Sequence, residues 1–439
     1  MMRNDFMAVT KRAAAALAGT LAILMFAIPS HAASCAGRPQ QITFANWAAA
    51  ETATSKEVTA SIAAFEQANP CIHVKMIAIP FADMVSQLTV MTIGNNTPDV
   101  MELSSGMPQA LAAQGALADL RGYADKALIS DIQPSMLQDG EAGGKLVALP
   151  LSLTPHGFWY NKGLMTKAGL NPAHPPRTIA ALTHDIQVVK AKEPKVFPFA
   201  MMTSKGAYTV VVMWPWLQAF CKRPPMADGH LGWTQPCTEQ AFAWFQTLAK
   251  KHEMPVGNNM KDNRQLFATD QIVFTLDGPY LRGIVSSINP RYAANAAFAA
   301  EFGATTVPVG PNGVSHTAID IHQIAMSAKA ADPKAAWTFL RFMVSSPADM
   351  RDFIIPEGGL PPLTSLQQRF SADLAQPYQQ AWVKEIIPEA VPIPYNPTWY
   401  RASNDMVNAL QRVVNGSNVK TTLAALEAAL KRIYPHFRS

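Results

Sequence analysis

The stretch that decides the fold is residues 41–79, QITFANWAAAETATSKEVTASIAAFEQANPCIHVKMIAI. Residues 41–47 form a short β-type run, and residues 54–69 carry apolar side chains at helical spacing. Pro70 ends this helix, because a residue before proline is disfavoured in the helical region. Residues 72–79 then alternate between apolar and polar side chains, which is the period of a strand. The pattern predicts a strand, a helix and a second strand in succession.

The same alternation continues on the carboxyl side of this stretch. Residues 81–93 predict a second helix, which a Gly-Asn-Asn sequence ends, and residues 100–103 predict a third strand. The order β-α-β-α-β is typical of an α/β fold in which helices cover a parallel sheet. We therefore expect the fold class to be α/β.

Later runs extend the alternation along the chain. Apolar runs predict strands at residues 145–152, 272–276, 302–309 and 319–327. Helical spacing predicts helices at residues 242–251, 334–344 and 419–433. A mature chain of about 400 residues is too long for one ordinary hydrophobic core, so we expect two lobes.

The amino terminus has the pattern of an export signal. Basic residues precede an uncharged and mostly apolar run over residues 13–28. Small residues follow at Ser30 and Ala32, the third and first positions before a cut. These features predict a secretory signal peptide over residues 1–32, and an uncleaved membrane anchor is the alternative.

All four cysteines lie beyond the predicted cut, at Cys35, Cys71, Cys221 and Cys237. An even number of cysteines in an oxidising compartment favours disulfides, and four cysteines allow three connectivities. We favour Cys35–Cys71 and Cys221–Cys237, because each pair lies within one local stretch. Lipidation of Cys35 is an alternative that a disulfide at the same thiol would rule out. The spacings are not those of a metal site, and we predict no cofactor.

Composition argues against two other classes of protein. Hydrophobic residues make up 49% of the chain. The net charge is +5, and the basic residues are scattered along the sequence rather than clustered in blocks. This distribution indicates a solvated surface and argues against nucleic-acid binding. Beyond the signal, no segment reaches about 18 uncharged apolar residues, so we expect a soluble mature protein.

Residues 144–190 carry the most specific motif, GKLVALPLSLTPHGFWYNKGLMTKAGLNPAHPPRTIAALTHDIQVVK. Its core is the pattern YNK, KAGL and PPRT over residues 160–178. Shorter matches follow the same order at residues 94–100, 278–280, 332–342 and 358–362. Together these motifs resemble the family 1 extracellular solute-binding proteins of ABC importers, which include the maltose-binding and glycerol-3-phosphate-binding types.

The resemblance implies a two-lobed periplasmic binding protein fold with a hinge and a central ligand cleft. We expect residues 36–153 and 301–330 in the first lobe, and residues 154–300 and 331–439 in the second. It also implies a monomer in the periplasm that delivers a small-molecule solute to an ABC permease in the inner membrane. A sugar or oligosaccharide is the expected solute, and glycerol 3-phosphate or a glycerophosphodiester is the alternative.

Candidate ligand-binding residues follow from the chemistry of a sugar, whose flat faces stack on aromatic rings and whose hydroxyls bond to polar groups. The candidates, at strand ends, crossovers and positions that the resemblance indicates, are Trp47, Glu51, Phe81, Ser104, Ser105, Thr154, His156, Trp214, Trp216, Asp277, Gly278, Tyr280, Asp320, His322, Gly359 and Arg401. Each also has a structural interpretation: packing for the aromatics, turns for the serines, ion pairs for the charged residues.

Three of these predictions are specific. We expect Trp214 and Trp216 to form a stacking platform, and Tyr280 to stack as an aromatic does in the maltose-binding type. Ser105 stands where the glycerol-3-phosphate type has an acidic residue, and Asp320 stands where the family commonly has glycine. These two departures favour a sugar over a glycerol phosphate.

An exported glycoside hydrolase is the rival interpretation. It needs two carboxylates beside the scissile bond, which Glu51, Glu102, Asp277 and Asp320 could supply. None of these carboxylates lies in a recognisable catalytic motif, and the sequence has no nucleophile elbow, zinc-protease motif or P-loop. We therefore expect a binding protein and not an enzyme.

Overall fold

The computed structural model describes Cys35 and residues 38–227, 229–311 and 315–438. The predicted signal peptide lies outside these residues. Nine strands form the two main sheets: β1 (Gln40–Asn46), β2 (Ile72–Ala78), β3 (Val100–Ser104), β4 (Leu149–Leu153), β5 (Gly157–Asn161), β6 (Phe197–Ala200), β7 (Ile272–Asp277), β8 (Phe302–Thr305) and β9 (Ile321–Met326). Two-residue strands lie at Glu141–Ala142, Lys145–Leu146, Met226–Ala227, His230–Leu231, Thr317–Ala318 and Ala390–Val391.

Helices cover both sheets. The longer ones are Ser55–Ala68, Met84–Ile93, Ile179–Lys192, Tyr208–Phe220, Pro236–Lys250, Met260–Ala268, Leu281–Ile288, Pro333–Ser345, Trp399–Val414 and Val419–Ile433. Shorter ones are Met107–Ala112, Lys126–Ser130, Pro134–Asp139, Lys162–Lys167, Asn295–Glu301, Pro347–Asp349, Met350–Ile354, Ile355–Glu357, Thr364–Arg369, Pro377–Ala381 and Trp382–Ile386. Within the described part of the chain, no helix combines the length and apolar character that a membrane span requires.

The first sheet has the strand order β2-β1-β3-β9-β4. Strand β1 is parallel to β2 and β3, whereas β9 is antiparallel to β3 and β4. The predicted β-α-β-α-β order at residues 41–103 is therefore confirmed to within a residue or two at most boundaries. The exception is the second helix, where a 3₁₀ turn over Phe81–Asp83 precedes the α-helix.

The second sheet has the strand order β8-β5-β7-β6. Strand β7 is parallel to β6 and antiparallel to β5, which also pairs antiparallel with β8. Helix Tyr208–Phe220 is buried along almost its whole length, and helices Pro236–Lys250 and Trp399–Val414 pack against each other in the same lobe. The two sheets and their helices make the two lobes that the chain length predicted.

Two connections between the lobes lie side by side. The chain leaves the first sheet after β4, enters the second at β5, and returns between β8 and β9. The amide and hydroxyl of Thr154 donate to the carbonyl of Asp320 at 3.2 and 2.8 Å. The hydroxyl of Thr317 donates to the carbonyl of His156. These bonds hold the paired connections together between the lobes.

The predicted lobe boundaries need two corrections. Strand β8, predicted in the first lobe, pairs with β5 and forms the edge of the second sheet. Helix Pro333–Ser345, predicted in the second lobe, packs on β9, β4 and β1 of the first sheet, and helices Pro347–Asp349 and Met350–Ile354 after it pack on helix Ser55–Ala68 of the first lobe. Its apolar face explains this position, because the ring of Phe339 lies 5.1 Å from Phe44 and 5.0 Å from Phe65 in the first core.

Both predicted disulfides are confirmed. Cys35–Cys71 joins the segment before β1 to the start of β2, and Cys221–Cys237 joins the ends of two helices in the second lobe. Each disulfide therefore links parts of one lobe. Because Cys35 is bridged, its thiol cannot carry a lipid in this structure.

Candidate functional site

A cavity that is partly open to solvent lies between the lobes at the carboxyl ends of β1 and β3. This is the usual place for a ligand in an α/β fold. Its walls combine aromatic, acidic and small side chains: Trp47, Glu51, Ala53, Thr54, Phe81, Ser104, Tyr208, Met260, Arg264, Tyr280, Gly283, Ile284, Asp320, His322, Pro356 and Glu357. No group of three or more metal-ligating side chains occurs among the described residues.

The turn after β1 supplies the first aromatic wall. The side-chain carbonyl of Asn46 accepts a hydrogen bond of 2.7 Å from the amide of Ala49, which fixes the turn. Trp47 is thereby held with its ring edge-on to Phe81, at a centroid distance of 5.3 Å. Phe81 in turn contacts the ring of Tyr208 from the second lobe at 5.3 Å. Three rings from two lobes thus line one side of the cavity.

The floor of the site follows from the pairing of β3 with β9. His322 pairs with Ser104, and Ile324 pairs with Glu102, so alternate side chains of both strands share one face. Asp320 comes just before β9, where the second connection enters the sheet. The two-residue period of these strands therefore brings Glu102, Ser104 and His322 to the same side as the cavity.

Asp320 is hydrogen-bonded from both lobes. One oxygen accepts from the hydroxyl of Ser104 at 3.2 Å, and the other accepts from the hydroxyl of Tyr208 at 2.8 Å. The ring Nε2 of His156 lies 2.7 Å from the Tyr208 hydroxyl and 3.4 Å from the same carboxylate. Burial by itself raises the pKa of Asp320, but His156 and Tyr208 outweigh it and lower the pKa below its ordinary value. Asp320 is thus an ionised carboxylate at the junction of the lobes.

The second lobe contributes a buried ion pair. The guanidinium of Arg264 donates to both oxygens of Asp277, at 2.8 and 2.9 Å. Arg264 lies in a helix that begins with a capping box between Asn259 and Asp262. Burial alone lowers the pKa of Arg264, but the Asp277 carboxylate raises it above its ordinary value. Arg264 also lies over the ring of Tyr280, with its guanidinium carbon 5.1 Å from the ring centroid.

A third segment closes the site with a carboxylate. Gly358 has a positive φ of 98° and lies against the backbone of Tyr280, so a side chain at this position would clash. This close approach brings the neighbouring Glu357 to His322, with an oxygen 3.7 Å from the ring Nδ1. An oxygen of Glu102 lies 3.5 Å from the same nitrogen. His322 therefore stands between two carboxyl groups.

Burial has the largest effect on the pKa values of His322 and of the carboxyl groups near it. It lowers the pKa of His322 to about 4, so the ring is neutral at pH 7. Burial, followed by the charge of Glu51, raises the pKa of Glu357 to about 8. Burial, followed by the charge of Glu357, raises the pKa of Glu102 well above its ordinary value. Burial also raises the pKa of Glu51, which Arg264 and Lys261 partly offset.

The structure places seven of the predicted site residues on the cavity wall: Trp47, Glu51, Phe81, Ser104, Tyr280, Asp320 and His322. Others lie behind the wall and support it. The hydroxyl of Ser105 donates to Asp139 at 2.6 Å and accepts from the amide of Ile321 at 3.1 Å.

Five further predicted residues also lie off the cavity wall. Thr154 and His156 bond to Asp320 and Tyr208, and Asp277 holds Arg264. The carbonyl of Gly278 accepts from the indole of Trp159 at 3.1 Å, and Gly359 packs closely on Ser152.

The predicted stacking platform is wrong. Trp214 and Trp216 are 0% exposed and belong to the core of the second lobe. Trp216 packs on Phe199 at 5.2 Å, and Trp214 packs on Trp399 at 5.8 Å. Arg401 is also outside the cavity wall, because it lies on the exposed face of helix Trp399–Val414.

Nine of the sixteen lining residues were not predicted, and Tyr208, Arg264 and Glu357 are those among them with ionisable side chains. Arg264 and Tyr208 lie within or at the start of helices, where a polar residue is ordinarily solvated. Glu357 could have been predicted more easily, because the Glu-Gly-Gly sequence at residues 357–359 permits a close backbone approach.

Comparisons with known proteins agree with this geometry. The profile of the family described as bacterial extracellular solute-binding protein matches residues 48–350. A binding protein of Brucella abortus is 22% identical over 385 residues, which cover 84% of this chain and 88% of the relative. The multiple sugar-binding protein of Streptococcus mutans is 24% identical over 302 residues, which cover 65% of this chain and 67% of the relative.

Solved structures show the same fold. The GacH receptor of Streptomyces glaucescens, solved unliganded and with acarbose, matches with a TM-score of 0.80 at 19% identity, covering 92% of this chain and 100% of that one. An ABC transporter solute-binding protein of Thermotoga lettingae, bound with α-D-tagatose, matches with a TM-score of 0.79 at 18% identity, covering 90% and 100%. These neighbours and the family members are binding proteins and not enzymes. The chain therefore belongs to the family of bacterial extracellular solute-binding proteins, and its two-lobed fold is that of a binding protein.

Proposed function

We propose that the protein captures a sugar or oligosaccharide between its lobes and delivers it to an ABC permease in the inner membrane. The observation that carries this proposal is the composition of the cavity wall. Trp47 and Phe81 offer aromatic rings for the apolar faces of a sugar, while Glu51 and Asp320 offer carboxylate acceptors for its hydroxyls. Relatives that bind sugars, including the multiple sugar-binding protein of Streptococcus mutans, support the same class of solute.

The charge of the cavity argues against glycerol 3-phosphate and glycerophosphodiesters. Glu51, Asp320 and Glu357 line it, and Arg264 is the only lysine or arginine among the lining residues. Because Arg264 is already bonded at two positions to Asp277, it has little charge to offer a phosphate. An anionic ligand would meet carboxylates without a free cation, and a neutral polyol would not.

The proposal includes the compartment and the state of the protein. A signal peptide over residues 1–32 and two disulfides fit a periplasmic protein. We propose that it acts there as a monomer, since the cavity is built from one chain.

A ligand panel tests this function. The mature protein is mixed with mono- and oligosaccharides, polyols and glycerophosphodiesters, and its melting temperature and tryptophan fluorescence are measured. A bound solute stabilises the folded state by mass action, and Trp47 reports directly on the cavity. We expect saccharides to raise the melting temperature and glycerophosphodiesters to leave it unchanged. A response to glycerophosphodiesters with none to saccharides would refute the proposal.

A further inference from the structure

The carboxyl groups around His322 outnumber the cations available to them. Glu102 and Glu357 each place an oxygen within 4 Å of the neutral ring, at 3.5 and 3.7 Å, and the charge of Glu51 acts on both. Arg264, the lining cation, is held by Asp277. Acidic side chains therefore outnumber basic ones at this end of the cavity, where Arg264 and Lys261 act on Glu51.

Two groups on the cavity wall also lack hydrogen-bond donors. Glu357 is only 8% exposed, and its Oε2 has no hydrogen-bond partner among the described residues. His322 is 7% exposed, and its Nδ1 has none either. Buried polar atoms without a hydrogen-bond partner are rare in native proteins, so this end of the cavity is arranged to form hydrogen bonds with a ligand.

Charge decides which kind of donor fits. A hydroxyl group bonds to a neutral or an ionised carboxyl group alike, whereas a protonated nitrogen stabilises the ionised form, which burial at this end of the cavity otherwise disfavours. The aromatic rings of Trp47 and Phe81 on the same wall favour a cation as well, because their faces carry negative charge density.

We propose that the solute is an amino-substituted saccharide whose protonated nitrogen binds between Glu357 and Glu51. This inference rests on the proposed capture of a saccharide and names the chemical class within it. The hydroxyls of the sugar meet Asp320 and the aromatic wall, and the nitrogen occupies the acidic end beside His322. The nitrogen supplies the hydrogen bonds that Glu357 lacks.

Binding of such a cation releases a proton from the site. In the absence of a cation, burial and Glu51 raise the pKa of Glu357 to about 8, so its carboxyl group is protonated at pH 6.5. The charged or titratable groups that act on it are Glu51, Glu57, Glu102, His322 and Asp349. A cationic nitrogen favours the ionised form, and the proton leaves. A neutral sugar leaves the proton in place.

Isothermal titration calorimetry tests the inference with matched ligands. Glucosamine and its oligomers are compared at pH 6.5 with the N-acetylated and parent sugars, and putrescine serves as an amine without sugar hydroxyls. Titration in two buffers of different ionisation enthalpy gives the number of protons released. We expect tighter binding of the amino sugars, by tenfold or more, with close to one proton released per ligand bound.

Two variants assign the effect to the acidic end. Glu357→Gln keeps the size of the side chain and removes its charge, so amino sugars should lose tenfold or more in affinity and their proton release. Glu51→Gln, at a partly exposed site, tests the same end if Glu357→Gln does not fold. Glu385→Gln removes one exposed charge outside the cavity and should change neither quantity.

The outcomes separate this inference from the function on which it rests. If neutral sugars bind as tightly as amino sugars, or if Glu357→Gln and Glu51→Gln leave the preference for amino sugars intact, the inference fails and saccharide capture stands. If no saccharide binds, or if putrescine alone binds, both the proposed function and the inference fail.

Discussion

Replacing Asp277 with alanine should destabilise the protein far more than removing a surface ion-pair partner. Asp277 is 1% exposed and accepts three hydrogen bonds: two from Arg264, at 2.8 and 2.9 Å, and one from the amide of Gly278 at 2.8 Å. Asp277→Ala leaves the guanidinium, whose side chain is 19% exposed, without its counter-charge. Breaking a buried pair in this way costs about 3–5 kcal/mol.

An exposed pair in the same chain provides the matched control. Arg121 and Glu141 lie 2.6 Å apart, with side chains that are 46% and 44% exposed. Glu141→Ala should therefore cost less than about 1 kcal/mol, because solvent screens the interaction. Replacing both buried partners, with Arg264→Met and Asp277→Leu, should recover most of the loss, since no unpaired charge remains.

Urea unfolding at pH 7, followed by circular dichroism, measures these differences. Urea is preferred to guanidinium chloride because it leaves ionic strength unchanged. We expect Asp277→Ala to lose at least about 2 kcal/mol more than Glu141→Ala. Equal losses in the two single variants would refute the reasoning, as would a double variant that is less stable than Asp277→Ala.

Three further predictions concern other parts of the molecule. The pair Cys221→Ser and Cys237→Ser, which opens a disulfide with a sequence separation of 16, should lower the free energy of unfolding by about 3 kcal/mol in urea titrations. Trp214→Phe should lower the melting temperature but change solute affinity less than twofold by calorimetry, because the ring is in the core; a tenfold loss of affinity would contradict that placement. Burial raises the pKa of Glu357 from 4.5 to about 8, so its stabilising contribution is complete below pH 4.5 and is lost as pH rises through 8. The contribution of Glu357 to the free energy of unfolding should therefore fall by up to about 1.4 kcal/mol per pH unit over that range. In urea titrations at several pH values, the free energy of unfolding of Glu357→Gln should depend less steeply on pH than that of the wild type.

The first sheet could be predicted from sequence because its information is local. The alternation in residues 72–79 and the proline after the first helix mark elements whose bounds depend on neighbouring residues only. The neighbours of β8 could not be predicted in this way, because its own residues do not say which sheet edge it joins. The lobe boundary was misplaced there for that reason.

The same distinction between local and long-range information applies to the candidate site. Asp320 and His322 were found through the family resemblance, because a carboxylate and an imidazole are unusual in a crossover where that family commonly has glycine. The prediction for Trp214 and Trp216 was wrong because helix Tyr208–Phe220 is apolar on all sides. In such a helix, hydrophobic periodicity does not distinguish a residue of the core from a residue of the cavity wall. Arg264 was missed because its role depends on an ion pair between a helix and a strand, which local pattern does not reveal.

The order of the disulfides along the chain bears on how the protein matures. Cys35 pairs with the next cysteine, Cys71, and Cys221 pairs with the next, Cys237, so the loops neither overlap nor nest. In a chain that emerges from an export channel amino terminus first, each cysteine meets its native partner before a competing one appears. The first bond can close before Cys221 has crossed the membrane. Simple oxidation during translocation thus yields the native pairing, and we expect maturation to require an oxidant but no disulfide isomerase.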